Sequence, residues 1–97
     1  MRQFDIVRLR DGTLALLLQA DLLSEVNTRI VAPMIEAKRI TPIRKLHPSV
    51  RVGRRDYVVL VDKLSAIMTA EIRAVVTSRR DQDWDFRRAL DLVFVGV

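Results

Sequence analysis

Residues 83–97 read Asp83-Trp84-Asp85-Phe86-Arg87-Arg88-Ala89-Leu90-Asp91-Leu92-Val93-Phe94-Val95-Gly96-Val97. Phe86, Ala89, Leu90, Val93, Phe94 and Val97 recur at spacings of three, one, three, one and three, the period of one apolar face of an α-helix. Leu92 and Val95 lie off that stripe. At about 100° per residue, Val95 points nearly opposite its centre. Asp81, Asp83 and Asp85 place negative charge at the start of this helix, where the backbone dipole favours it. The Ser78–Asp83 stretch offers N-cap candidates, and Gly96 stands where a capping glycine belongs. An apolar side chain on the outer face of such a helix calls for a partner.

Outward from the helix, the chain reads as short strands. Phe4 to Arg10 is one, with an apolar phase that shifts between Ile6 and Val7, as a bulge or a twisted edge produces. Asp11-Gly12 signals a hairpin, and Thr13 to Gln19 returns as a second strand. Its apolar run Leu14 to Leu18 predicts burial on both faces. Ala20 to Thr28 is a polar connection interrupted by Leu22-Leu23. Arg29 to Glu36 is a third strand, in which Pro33 argues for an edge or a bulge. Pro42 and Pro48 exclude a long helix between them. Ser49–Gly53 and Tyr57–Val61 form a second hairpin around Arg54-Arg55-Asp56. Asp62 to Met68 reads as a turn or a short helical piece, and Glu71 to Thr77 as the last strand. The expectation is a mainly β domain over residues 1–97, a small antiparallel sheet or barrel with one C-terminal α-helix packed on it.

A chain of 97 residues buries roughly 60–65% of its unfolded surface, so its core is modest and self-association is a natural supplement. With no cysteine, disulfides, thiolate zinc sites and cysteine nucleophiles are excluded. No apolar run approaches the roughly 20 residues that cross a bilayer, and no secretory signal stands at the start. A cytoplasmic location is therefore expected, with no membrane partner.

The net charge of +5 is unevenly placed. Lys38, Arg39, Arg44, Lys45, Arg51, Arg54 and Arg55 carry seven positive charges with no acid among them, while the remaining ten bases are outnumbered by twelve acids. Such a patch attracts nucleic acid, an acidic protein or anionic lipid, or it serves only as a solvated face. It contains no aromatic residue, which weakens single-strand nucleic-acid binding.

Catalytic signals are sparse. His47 is the only histidine, so neither a histidine-rich metal site nor a two-histidine acid–base pair exists, and loop packing is its expected role. No GxSxG, P-loop or GxGxxG pattern occurs. The sequence points to no catalytic residue, no metal and no cofactor. Leu22, Leu23, Leu92 and Val95 are the apolar residues a core explains least; they read either as ordinary packing under a loop or as a shared hydrophobic interface, for self-association or for another protein.

Taken together, five segments resemble the CcdB family of toxins. Ala89-Leu90-Asp91-Leu92-Val93-Phe94-Val95-Gly96-Val97 is similar to the family's terminal Ala-Ile-Asn-Leu-Met-Phe-Trp-Gly-Ile. Gln3-Phe4 stands at the start, as in the family. Gln19-Ala20-Asp21-Leu22-Leu23 resembles Gln-Ser-Asp-Ile-Ile, and Arg29-Ile30-Val31-Ala32-Pro33-Met34 resembles Arg-Met-Val-Ile-Pro-Leu. Pro48-Ser49-Val50-Arg51-Val52-Gly53, followed by Tyr57, resembles Pro-Val-Val-His-Ile-Gly followed by Trp.

The resemblance implies an SH3-like barrel of the CcdB/MazF-like toxin fold and a homodimer. It implies a toxin that is not an enzyme, that binds the A subunit of DNA gyrase and traps the enzyme on cleaved DNA, and that a partly disordered, acidic, CcdA-like antitoxin neutralises. No direct contact with nucleic acid is implied. By motif match the gyrase-binding residues are Leu22, Leu23, Asp91, Phe94, Val95, Gly96 and Val97. Two positions depart from the family: its penultimate-region Trp is Val95, and its Asn is Asp91. A Trp buries far more area than a Val, so a non-poisoning relative is one alternative. A MazF-like endoribonuclease toxin, to which the basic segment lends itself, is another. A small basic nucleic-acid-binding module is a third.

Overall fold

The computed structural model describes residues 1–21 and 25–96. The expectations for Leu22, Leu23 and Val97 lie outside the described residues.

Alternation and turn chemistry build the first hairpin. Strands β1 (Asp5–Leu9) and β2 (Leu14–Leu17) pair antiparallel, with Ile6 opposite Leu16 and Val7 opposite Ala15. Gly12 takes φ +91° in the connection, and the Asp11 carboxylate accepts the Thr13 N–H at 2.9 Å and the Thr13 hydroxyl at 2.6 Å. These contacts, the hydroxyl foremost, hold the Asp11 carboxyl below the usual range. The phase shift expected at Ile6-Val7 is real. It is a register irregularity where β1 pairs with β7 (Ile72–Ser78).

Strand β3 (Thr28–Glu36) is the spine of the sheet. One edge pairs with β2; the other pairs first with β6 (Ser65–Met68) and then with β5 (Arg55–Val59). Strand β4 (Ser49–Val52) extends the order to β4-β5-β3-β2-β1-β7. Here the structure corrects the sequence reading. Pro33 is in an interior strand, not an edge. It stands where the neighbour changes from β6 to β5, so its missing N–H falls beside the 3₁₀ turn Val61–Lys63 that joins those strands. Its carbonyl still accepts the Leu60 N–H at 2.9 Å. Asp62–Met68 is likewise more than a turn, because its second half is β6. The β4–β5 turn is Gly53-Arg54, with Gly53 at φ +61°.

The sheet curls into a half-barrel. Phe4, Ile6, Leu14, Leu16, Leu18, Ala32, Met34 and Val59 line its main core. The opposite side of the same strands buries a smaller cluster of Val7, Ala15, Leu17 and Val31, against which Ile67 and Ile72 pack. Strand β2 is thus buried on both faces, as its unbroken apolar run requires.

Helix α1 (Asp83–Phe94) closes the main core with Phe86 and Ala89, both fully buried, and with half-buried Leu90 and Val93. A 3₁₀ turn, Arg80–Gln82, leads into it, and no side chain caps its N-terminus. The Cα radius of gyration, 12.5 Å, is that of one compact body of this length. No helix among the described residues is long and apolar enough to cross a membrane.

Candidate functional site

Among the described residues the buried stripe of α1 ends at Val93, although its periodicity implies that Phe94 belongs to it too. Val93 packs against the core, but Phe94 is 70% exposed and Val95 69% exposed. Phe94 therefore leaves the stripe and joins the outward tip of the helix. Leu90 and Val93 are the last residues of the helix that pack against the core among the described residues. The tip itself is well formed. The Asp91 carbonyl accepts the N–H groups of Val95 at 2.8 Å and Gly96 at 3.0 Å, and Gly96 takes φ +84°. The Asp91 side chain is exposed and makes no ion pair among the described residues. Asp91, Phe94, Val95 and Gly96 thus form one protruding, mostly apolar patch beside a lone carboxylate.

Asp21, the residue before Leu22, sits elsewhere. Its carboxylate accepts the Gln3 backbone N–H at 2.6 Å, and Arg80 and Arg2 approach at 3.2 and 3.7 Å. The Gln3 N–H is the main reason its carboxyl lies below the usual range; partial desolvation opposes this, and the Arg2 and Arg80 charges add to it. Asp21, Arg80 and Asp83 share one hollow at the first turn of α1. A rise of 1.5 Å per residue puts Phe94 about 16 Å further along the axis. Asp21 and the helix tip are at opposite ends of α1.

Two further clusters escaped the sequence. His47 is buried, and it is not a loose surface residue. Its Nδ1 accepts the Ile43 N–H at 2.9 Å, which leaves Nε2 to donate to Asp62 Oδ1 at 2.8 Å. Both ring nitrogens are committed, so this pair fastens the 43–47 turn to the Val61–Lys63 turn. The second cluster surrounds Glu36, which pairs with Arg55 at 3.2 Å and Lys38 at 3.5 Å. A hollow of about 250 Å³ there is lined by Arg8, Thr13, Glu36, Arg39, Arg55 and Tyr57. Partnering residues 36 and 55 requires the β3–β5 register, which no local motif announces. No group of three or more His, Asp or Glu side chains among the described residues is placed to hold a metal ion.

Comparison with known proteins places this geometry in context. A family model described as CcdB protein matches residues 3–96. The fold is shared with solved toxins of low sequence identity. Mycobacterium tuberculosis toxin MazF-mt6 superposes with a TM-score of 0.78 at 16% identity, covering 96% of each chain. A mycobacterial endoribonuclease in complex with its cognate antitoxin gives 0.78 at 9% identity, covering 96% of this chain and 93% of that one. The MazE–MazF complex from Deinococcus radiodurans gives 0.73 at 17% identity, covering 94% and 92%. No curated protein sequence matches the chain.

Proposed function

The chain belongs to the CcdB family, and from that premise we propose that it is the toxin of a toxin–antitoxin pair, acting by binding rather than by catalysis. Its target is the A subunit of DNA gyrase, an enzyme it holds on cleaved DNA. The observation that supports this most is the exposed tip. Phe94 and Val95, apolar and about 70% exposed, stand with Asp91 and Gly96 at positions matching the family's contact motif. A small protein leaves such a patch uncovered when another molecule covers it. Leu22, Leu23 and Val97 complete the contact set by motif match.

A homodimer fits the same reading. It offers a surface to the exposed Ile30 and Met68 of the β3–β6 pair and to Val75 and Val76 on the edge strand β7. The partner that neutralises the toxin is an acidic antitoxin, and the complex works in the cytoplasm, where gyrase is. The deciding experiment incubates pure protein with gyrase and supercoiled DNA, then denatures and digests the mixture. Linear DNA above the gyrase background supports the reading, and its absence at saturating protein rejects it.

A second reading is an endoribonuclease. Glu36 beside Arg55, in a hollow also lined by Arg8 and Arg39, supplies a carboxylate next to guanidinium groups. That set suits removal of a ribose 2′-hydroxyl proton and stabilisation of the charge that gathers on the attacked phosphate. Pure protein that cuts RNA without any partner, and a Glu36→Gln variant that does not, would establish this reading in place of the first.

A further inference from the structure

The 43–47 turn is unusually well secured for a loop in a basic segment. The Ile43 carbonyl accepts the N–H groups of Leu46 at 3.2 Å and His47 at 2.9 Å, and the Ile43 N–H is itself held by the His47 ring. Lys45, inside this turn, takes φ +70°, a left-handed conformation that a lysine adopts only when its surroundings impose it. The turn faces the first half of α1 across a hollow of about 390 Å³.

The charges around that hollow are unbalanced. Arg44 and Lys45 line it and make no ion pair or side-chain hydrogen bond among the described residues. Arg88 enters from the helix. Its only ion-pair partner among the described residues is Asp85 at 3.7 Å, and its buried Nε is left without an acceptor. Elsewhere in the basic segment Lys38 and Arg55 are matched by Glu36 and Arg51 by Asp56, while Arg39 and Arg54 make no ion pair among the described residues and line no part of this hollow. Three cations against one carboxylate leave this hollow short of acceptors.

We propose that the hollow between the 43–47 turn and α1 is a docking site for an acidic peptide segment of a partner protein. Its carboxylates meet Arg44, Lys45 and Arg88, which line the hollow, and an apolar side chain reaches Ile43, outside the lining but between two residues of it in the same turn and 57% exposed. A nucleic-acid strand fits less well, because no Phe, Tyr or Trp lines the hollow and the one ring that does, His47, is buried with both nitrogens engaged. The proposal rests on the antitoxin reading only for the partner's identity; the site and its ligand chemistry stand on the charges.

The test titrates pure full-length protein with a labelled peptide of alternating glutamate and leucine, and separately with a labelled oligouridylate of equal charge. Lys45→Gly removes a charge and supplies the residue that a positive φ favours, so the turn survives. Arg88→Gln removes the second cation. Arg54→Gln, in the β4–β5 turn, removes one charge away from the hollow. Lys45→Gly and Arg88→Gln each weaken peptide binding about tenfold, Arg54→Gln less than twofold, and the peptide outbinds the oligouridylate. No peptide binding by the unaltered protein, equal losses in all three variants, or tighter oligouridylate binding that the hollow variants abolish would each overturn the proposal. The titration uses no gyrase. A protein that binds the peptide but traps no cleaved DNA keeps the site and loses the gyrase reading.

Discussion

The Phe4 and Phe86 rings meet with centroids 5.2 Å apart and planes tilted by 49°, and this contact fixes the helix to the start of the sheet. Phe4 reaches it from a left-handed backbone conformation, φ +67°, with the Arg87 guanidinium 5.6 Å from its ring centre. Both rings are buried, and Phe86 is wholly so. Truncating Phe86 to Ala removes the largest side chain on the helix's buried face. Phe86→Ala is expected to cost about 3–5 kcal/mol of unfolding free energy in urea denaturation. A loss below about 1 kcal/mol would mean that α1 is not packed as described.

Asp21 carries a pH prediction. Its folded carboxyl titrates below its ordinary value, so the stability it contributes is present above about pH 4 and is lost as pH falls through the folded value. Asp21→Asn keeps an acceptor for the Gln3 N–H but removes the charge facing Arg2 and Arg80. Melting temperatures measured between pH 7 and pH 2.5 should show a shallower acid decline in the variant than in the parent. Parallel curves would show that Asp21 is not linked to folding.

The His47–Asp62 pair separates a structural role from a catalytic one. His47→Leu keeps the bulk but leaves the Ile43 N–H and the Asp62 carboxylate without their partner, at an expected cost of about 1–2 kcal/mol. Activity per folded molecule, against gyrase or RNA, should be unchanged. Loss of activity in a protein that still folds would assign His47 a chemical role.

How much of this was visible in the sequence depends on how local each feature is. The Asp11-Gly12 hairpin, the Ile6-Val7 irregularity and the two-faced burial of β2 all follow from side chains a few residues apart. Pro33 misled, because a missing donor marks an edge unless the neighbouring strand itself breaks at that point, as it does between β5 and β6. Strand β6 was hidden behind a 3₁₀ turn. At the site, Val95 was legible as an outward residue from helical phase alone. Phe94 was not, since its exposure depends on where packing against the core ends. The pairs Glu36–Arg55 and His47–Asp62 join segments 19 and 15 residues apart and depend on strand register and loop closure.

Position 95 offers a gain-of-function test. Val95 stands where the family has Trp, on an exposed helix end with room around it. Val95→Trp should leave stability within about 0.5 kcal/mol of the parent. It should tighten binding to gyrase about tenfold, the scale on which a single aromatic anchor acts. Unchanged affinity, measured by surface plasmon resonance, would show that this residue does not face the target.

The account turns on the helix tip as the target-binding surface, and Gly96 tests it with the least disturbance to the core. A side chain at Gly96 meets nothing within 4 Å, so Gly96→Arg strains only a terminal φ of +84° while placing a long cation in the patch. The measurement is gyrase-dependent DNA cleavage by parent and variant, with melting curves as the fold control. The account predicts trapped double-strand breaks with the parent, loss of at least nine-tenths of them with Gly96→Arg (about 1.4 kcal/mol) and closely similar melting curves. Equal trapping by both proteins, or none by the parent, would contradict it.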